Sequence, residues 1–344
     1  MMVSRLRIYV AYVLIALALL LQACAGAVKE APEPQEPVKL KVVVLPFLSF
    51  GPLFIAEQEG YFAEQGLEVE FLRFAKQADA TAAFIQGEVD VLAGAVNLAF
   101  LNAIARGSNI KFVADKGNLD PGGCTYIAAV ARRDLLESGE LDNLAQLQGR
   151  RVAFRFGSAS HYLTSKILEQ AGLTVDDIEH LEIPAPSTIE AIADGSLDLS
   201  IAIDPWIVRS VQTGNADVWM RGEQVLPEYQ IGYIGYGSTI LDENPEAGWR
   251  FMVAYLKAVR QYNQGKTERN LEIMAEATGL DEELLLQACW PPIRQDGTIN
   301  VDSVLDFQSW AVANGYVDNK VTEEQFWDPS FVEYAGQILS ESTQ

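Results

Sequence analysis

The amino-acid sequence predicts an α/β fold made of two similar lobes. β-branched runs alternate with helical stretches at the spacing of strand–helix–strand units, which favours mostly parallel sheets covered by helices on both faces. The same order of strands and helices begins again near residue 150, which indicates a second unit of the same kind. With 344 residues, of which 49% are hydrophobic, the chain can bury a core of that size.

The chain begins with the features of an export signal. Arg5 and Arg7 precede an uncharged apolar run that is shorter than the ~20 residues of a membrane-spanning helix. The LQAC sequence that ends at Cys24 resembles the lipobox of bacterial lipoproteins, in which the cysteine is lipidated. We expect a signal peptide over residues 1–23 and a lipid on Cys24, with an uncleaved membrane anchor as the alternative. Both interpretations place the rest of the chain outside the cytoplasm.

Residues 24–39 are predicted to form a disordered tether. The segment contains prolines and alternating charges and has almost nothing apolar to bury, so an extended chain is favoured. With a lipid on Cys24, this tether would hold the folded part at the membrane surface without inserting it.

The first lobe is predicted from a strand that ends at a proline. KLKVVVLPF (39–47) is rich in β-branched residues, and Gly51-Pro52 places a proline in the first turn of the helix that follows. Further strands are expected at 66–74, 89–95 and 110–115, with helices at 78–86 and 97–107.

The second lobe repeats this order. Strands are expected at 150–156, 178–184 and 197–203, with a helix at 158–172 and further helices beginning near Ser187 and Pro205. A return strand at 233–241 and a helical C-terminal part complete the chain. The predicted boundaries are 40–132 for the first part of lobe 1, 133–236 for lobe 2, and 237–344 for the return to lobe 1.

Charge and cysteine content narrow the class of protein. The formal charge of −22 argues against nucleic acid as a partner, because phosphates select for Lys and Arg. Cys124 and Cys289 could form one disulfide outside the cytoplasm, and their spacing does not decide it. The sequence has neither a CxxC pair nor a His/Cys cluster, so we expect no metal and no cofactor; its only histidines are His161 and His180.

Several stretches resemble the substrate-binding proteins of ABC importers for nitrate, sulfonates, taurine and thiamine pyrimidine precursors. They are GPLFIAEQEGYFAEQGLEVE, QGEVDVLAG, LQGRRVAFRFGSASHY, ADGSLDLSIAIDPW and DGTINVDSVLDFQSW, in the order in which that group carries them. The resemblance implies a periplasmic-binding-protein fold of the type II kind, with two lobes joined by two crossover strands and a ligand cleft between them. It also implies a small-molecule ligand, a permease and an ATPase as partners, and a place on the extracytoplasmic face of the cell membrane.

The candidate site lies on loops beyond the carboxyl ends of strands, where open α/β sheets bind ligands. The resemblance places contacts on the same loops, namely PFLSFG, AGAVN, RFGSAS and IDPW. The candidate ligand-binding residues are Ser49, Phe50, Asn97, Phe156, Ser158, Ser160, His161, Asp204 and Trp206. The alternative is structural: Asn97, Ser158 or Ser160 could cap a helix, and Trp206 could belong to the core.

Aromatic residues outnumber cations near these loops, where Arg155 and Lys116 are the main positive charges. This balance favours a flat heteroaromatic ligand held by stacking, and riboflavin is the expected ligand because the chain looks most similar to riboflavin-binding lipoproteins. The alternatives are a thiamine pyrimidine precursor or a sulfonate- or nitrate-type anion. Catalysis is not expected, because the cysteine-rich segment of the pyrimidine-synthase branch is missing, and a sensor subunit stays open as a further class.

Overall fold

The structure is a computed structural model that describes residues 36–74 and 77–341. The predicted signal peptide, Cys24 and the predicted tether as far as residue 35 lie outside the described residues. The first strand begins at Val38, inside the segment expected to be tether, because Val38 and Lys39 pair with Leu67 and Glu68 of the next strand.

The chain alternates strands and helices as its sequence predicts. The strands are β1 (Val38–Val44), β2 (Leu67–Arg73), β3 (Val91–Ala95), β4 (Lys111–Asn118), β5 (Ile127–Arg132), β6 (Arg151–Ala153), β7 (Glu179–Leu181), β8 (Leu199–Ile203), β9 (Ala216–Arg221) and β10 (Gln230–Tyr236). The helices are α1 (Gly51–Gln58), α2 (Tyr61–Glu64), α3 (Gln77–Ile85), α4 (Leu98–Ala105), α5 (Arg133–Glu137), α6 (Ala159–Glu169), α7 (Ala185–Ala193), α8 (Trp206–Gln212), α9 (Gly222–Val225), α10 (Pro245–Tyr262), α11 (Glu268–Thr278), α12 (Glu282–Gln287), α13 (Val301–Ala313), α14 (Glu323–Phe326) and α15 (Ser330–Glu341). A short 3-10 turn, Leu48–Phe50, joins β1 to α1.

The strands form two sheets of the same design. The first sheet has the order β2-β1-β3-β10-β4 and the second the order β7-β6-β8-β5-β9. In each sheet four strands run in the same direction, and the fourth strand in the order is antiparallel to both of its neighbours. This repetition confirms the two-lobed α/β fold expected from the sequence. Hereafter the first and second lobes are the elements around the first and second sheets.

The chain crosses between the sheets twice, between β4 and β5 and between β9 and β10. Strand β5 therefore lies in the second sheet and β10 in the first, on the other side of the boundaries expected at 132/133 and 236/237. Each is the first strand after a crossing segment. A turn signal such as Pro121-Gly122-Gly123, which lies between β4 and β5, does not show which sheet the next strand joins, so the change of lobe could not be placed from the sequence.

A disulfide joins one crossing segment to the C-terminal part of the chain. Cys124, between β4 and β5, is bonded to Cys289, which follows α12, and their Cα atoms are 5.5 Å apart. The described residues from Pro37 onward form one compact unit. Within the described ranges, no helix combines the length and the apolar character needed to cross a membrane.

Candidate functional site

The loops that follow β3 and β6 touch each other, although their strands belong to different sheets. Asn97 and Ser158 form an isolated antiparallel bridge, and the backbone N–H of Leu98 donates to the Gly157 carbonyl at 3.0 Å. Gly157 has a φ of +71°, and a Cβ at this position would lie 3.1 Å from Leu98 Cδ1. Glycine at 157 thus permits both the left-handed backbone and the close approach of the two lobes.

The side chain of Asn97 shapes its own loop. Its Oδ1 accepts from the Phe100 N–H at 3.0 Å, which caps α4, and its Nδ2 donates to the Ala95 carbonyl at 2.7 Å. Its amide is therefore engaged within the first lobe, and the backbone of this loop makes the contact with the second lobe.

The two serines of the second-lobe loop also hold that loop together. Ser158 is the N-cap of α6 and accepts from the Ser160 N–H at 3.2 Å, while Ser160 Oγ accepts from the Arg155 N–H at 3.0 Å. The Ser158 hydroxyl donates to the Arg155 carbonyl at 2.8 Å. In the structure Ser158 caps a helix, which is the structural alternative to ligand binding that was considered for it.

His161 is fully buried and supports the peptide that meets the first lobe. Its Nδ1 accepts from the Gly157 N–H at 3.2 Å, so the neutral ring carries its proton on Nε2, for which the described residues offer no hydrogen-bond partner. The rings of Phe154, Phe156 and Trp310 surround the imidazole, with centroids 5.0, 4.6 and 4.9 Å away. Burial, with a smaller contribution from nearby His180, lowers the pKa of His161 to about 4.

Ser49 and Phe50, in the turn after β1, meet a lysine from β4. Lys116 Nζ donates to Ser49 Oγ at 2.9 Å and lies 4.1 Å from the centre of the Phe50 ring. All three side chains are buried. Between β4 and β3, strand β10 carries Gly232, whose Cβ, if present, would lie 3.1 Å from Lys116 Cε. The missing side chain at Gly232 leaves the lysine room to lie across the sheet.

Burial weakens the charge of this lysine. Removal from water lowers the pKa of Lys116 to about 7, and the neighbouring Asp115 offsets only part of that shift. Burial raises the pKa of the Tyr126 hydroxyl to about 12, and its hydrogen bond with Ser49 opposes the shift. Ser49 thus joins a cation and a neutral hydroxyl in one buried cluster.

Asp204, after β8, connects the second lobe to the C-terminal part of the chain. Its carboxylate accepts from the Cys289 N–H at 2.5 Å and from the Val208 N–H at 3.3 Å. Burial raises the pKa of Asp204 to about 6, and the hydrogen bond from Cys289 opposes this shift. Both carboxylate oxygens are therefore used to position backbone.

The two remaining candidates, Phe156 and Trp206, differ in their surroundings. Phe156 is 50% exposed, and its ring packs edge-on against Tyr316 at 5.1 Å. Trp206 is half-buried against the smaller hydrophobic cluster of the second lobe, with the Arg209 guanidinium 4.9 Å from its ring centre. These contacts agree with the alternative considered for Trp206, in which its ring belongs to the hydrophobic core.

A surface groove of about 550 Å³ lies elsewhere, at the amino ends of β6 and β8. Arg132, Arg151 and Asp198 line it, and both arginines are paired with the Asp198 carboxylate. The candidate loops follow the opposite, carboxyl ends of these strands. Within the described ranges, no group of three or more His, Cys, Asp or Glu side chains is placed to hold a metal ion.

The structure brings the candidates together in separate groups. Ser49 and Phe50 form one group with Lys116. Asn97, Ser158, Ser160, His161 and Phe156 surround the contact between the lobes, whereas Asp204 binds the Cys289 backbone and Trp206 packs within its own lobe. Lys116 was not among the candidates, although a lysine in an otherwise buried strand is a signal of function.

Residues 33–278 match the NMT1-like family, and the chain belongs to this family. The chain is 25% identical over 144 residues to a putative aliphatic sulfonates-binding protein of Escherichia coli K12. The aligned part is 42% of this chain and 44% of the relative. It is 24% identical over 224 residues to a 4-amino-5-hydroxymethyl-2-methylpyrimidine phosphate synthase of Aspergillus parasiticus, covering 60% of this chain and 61% of the relative. The chain thus spans about half the length of these curated relatives.

Solved structures share the fold. The ligand-binding component of an ABC-type import system from Staphylococcus aureus has a TM-score of 0.71 at 15% identity, over 87% of this chain and 99% of the other. The periplasmic aliphatic sulphonate binding protein SsuA of Escherichia coli has a TM-score of 0.69 at 19% identity, over 86% and 93%. The desulfurization enzyme DSZB has a TM-score of 0.62 at 15% identity, over 88% and 99%. The fold is therefore found in binding proteins and in an enzyme.

Proposed function

We propose that this chain is the extracytoplasmic substrate-binding subunit of an ABC importer. The observation that carries the proposal is the contact of Leu98 with Gly157, which joins loops beyond the carboxyl ends of parallel strands in two sheets. A ligand at such loops is enclosed by both lobes. The import and sulphonate-binding proteins named above match the fold with TM-scores of 0.71 and 0.69, above the 0.62 of the enzyme DSZB, which supports this role over a catalytic one.

The proposed ligand is a small oxoanion, with a sulfonate as the leading example. The buried Lys116 and Ser49 supply donors suited to such a group, and a relative of this chain is named as a sulfonates-binding protein. No finding supports riboflavin, the ligand expected from the sequence. The rings of Phe50 and Trp206, both candidate ligand-binding residues, are engaged with Lys116 and with the second lobe.

The mechanism is binding without chemistry. A ligand that touches both lobes favours the form in which the loops at Asn97 and Ser158 meet, because that form offers more contacts. We propose that this closed form docks on the membrane permease and gives up its ligand when ATP drives the permease.

A lipid on Cys24 would confine the protein to the membrane surface and raise its concentration near the permease. The test is the variant Cys24→Ala in the source cells. We expect the variant to leave the membrane fraction and the full-length protein to stay there. Retention of the variant at the membrane would show that a lipid on Cys24 is not the anchor.

Import is tested by uptake. Cells without this protein should lose high-affinity uptake of ethanesulfonate and regain it when the wild-type gene is returned. A matched measurement with riboflavin should show no change. Unchanged ethanesulfonate uptake together with lost riboflavin uptake would replace the proposed ligand with the one expected from the sequence.

A pyrimidine is the second candidate ligand. The similarity to the pyrimidine phosphate synthase extends over 224 residues, more than that to the sulfonates-binding protein. Titration with 4-amino-5-hydroxymethyl-2-methylpyrimidine tests it. Saturable binding of this neutral molecule that ethanesulfonate does not displace would favour the pyrimidine.

A further inference from the structure

The geometry points to Lys116 as the residue that holds the charged end of the ligand, with the Ser49 hydroxyl beside it. This inference rests on the proposed function and deepens it, because it assigns a binding residue and a ligand charge. The ligand expected at this lysine is a compact oxoanion, such as a sulfonate, a carboxylate or nitrate. Its oxygens would accept hydrogen bonds from the remaining N–H groups of the ammonium.

Lys116 is 4% exposed, and its hydrogen bonds are incomplete. An ammonium carries three N–H donors, and the described residues provide one acceptor, Ser49 Oγ at 2.9 Å. The face of the Phe50 ring, 4.1 Å away, attracts the charge but takes no full hydrogen bond. An anion would satisfy the remaining donors.

The carboxylate next to it in sequence is not its partner. Asp115 accepts from the backbone N–H groups of Gly117 and Arg294 at 2.7 and 2.8 Å and from Gln230 Nε2 at 2.7 Å. The Arg294 guanidinium adds an ion pair at 3.7 Å. Because neighbouring residues of a strand point to opposite faces, Asp115 and Lys116 have separate sets of contacts.

The position of Lys116 suits a cleft site. β4 runs in the same direction as β3, since both are antiparallel to β10, and Lys116 lies near the carboxyl end of β4. Its ammonium reaches the turn after β1, so the carboxyl ends of β1 and β4 meet at this place. A local cation is needed there, since the formal charge of −22 repels anions at longer range.

A buried lysine without a carboxylate partner lowers the stability of the fold, because its charge loses hydration. A residue that serves only the fold should destabilise it when removed. Replacing Lys116 by methionine, which has a similar length and no charge, should instead raise the thermal midpoint of the ligand-free protein while weakening anion binding. These two effects together separate a ligand-binding role from a structural one.

The test is isothermal titration of the full-length chain with ethanesulfonate and with nitrate, for the wild type and Lys116→Met. Lys320→Met is the matched control, because it removes the same charge from the exposed surface. We expect Lys116→Met to weaken binding of the better anion by about 10- to 100-fold, the effect of losing a charged hydrogen bond, and Lys320→Met to leave it unchanged.

Each outcome has a distinct meaning. Equal anion affinity in the wild type and Lys116→Met would overturn the inference and leave the proposed ligand class standing. Binding of riboflavin or the pyrimidine, without binding of either anion, would overturn both the inference and the ligand class. A lower thermal midpoint in Lys116→Met with unchanged affinity would make the lysine structural.

Discussion

The backbone N–H of Leu98 donates to the carbonyl of Gly157 at 3.0 Å, and this hydrogen bond joins the two lobes. The Gly157 N–H is in turn bound by His161 Nδ1 at 3.2 Å. One peptide segment is therefore fixed from its own lobe while it contacts the other. We therefore expect closing of the lobes to depend on this segment more than on the serine hydroxyls around it.

Gly157→Ala should weaken ligand binding. The variant pays about 1–2 kcal/mol for a left-handed alanine and also crowds Leu98 Cδ1, 3.1 Å from the added Cβ. Gly172→Ala is the control, because Gly172 has a φ of +69° with nothing within 4 Å of its added Cβ. Both variants should lose similar stability by urea unfolding, and only Gly157→Ala should lose affinity by calorimetry. Equal affinities would show that this contact does not govern closing.

Phe156→Ala and Trp206→Ala should separate binding from packing. Phe156 is 50% exposed beside the contact between the lobes, so its loss should weaken binding about three- to tenfold with little change in thermal midpoint. Trp206 packs against the hydrophobic cluster of its own lobe, so its loss should cost about 2 kcal/mol of stability. If instead Trp206→Ala weakens binding at unchanged stability, Trp206 is the ligand-binding residue that the sequence predicted.

Anion affinity should fall at alkaline pH. Burial lowers the pKa of Lys116 to about 7, so its charge is present below that pH and is lost above it. For a sulfonate, which stays charged throughout, affinity should be constant below pH ~7 and fall by up to about tenfold per unit above it. Asp115, Arg294 and the Tyr126 hydroxyl are the other titratable groups of this cluster. Calorimetry between pH 6 and pH 9 measures the slope, which Lys116→Met should flatten; a flat profile in the wild type would contradict this assignment.

The fold should lose stability in mild acid through His161. Its pKa is lowered to about 4 by burial, below the ordinary 6.5, so the unfolded chain takes up a proton first as the pH falls. Stability should therefore decrease between pH 6.5 and pH 4, by about 2–3 kcal/mol from this residue. Urea unfolding across this range, compared with His161→Phe, isolates the contribution. The same slope in both proteins would assign the acid sensitivity to other groups.

The repeated pattern of strands and helices was enough to predict the two-lobed fold. The strands β1, β2, β3, β6, β7 and β8 were all predicted, and each of them is followed by a helix. The strands β5 and β9 were not assigned as strands, because they pair antiparallel with neighbours that the sequence order does not reveal. The start of β10 was placed three residues late, at 233 and not at Gln230, for the same reason.

The site was harder to predict than the fold. The loops after β1, β3 and β6 follow from the rule on strand ends, and the structure brings the last two together at Asn97 and Ser158. The role of Lys116 depends on a contact with Ser49 across 67 positions of sequence, which no local pattern encodes. The balance of aromatic residues over cations favoured a stacked ligand. That balance is a weak guide, because a count of aromatic residues does not distinguish rings that line a cleft from rings used in packing.

The most direct test of the account is a parallel calorimetric titration of the full-length protein with ethanesulfonate and with riboflavin. The account predicts saturable binding of ethanesulfonate, competition by nitrate or another small oxoanion, and no heat from riboflavin. Saturable binding of riboflavin with no response to either anion would contradict it and return the ligand to the heteroaromatic class.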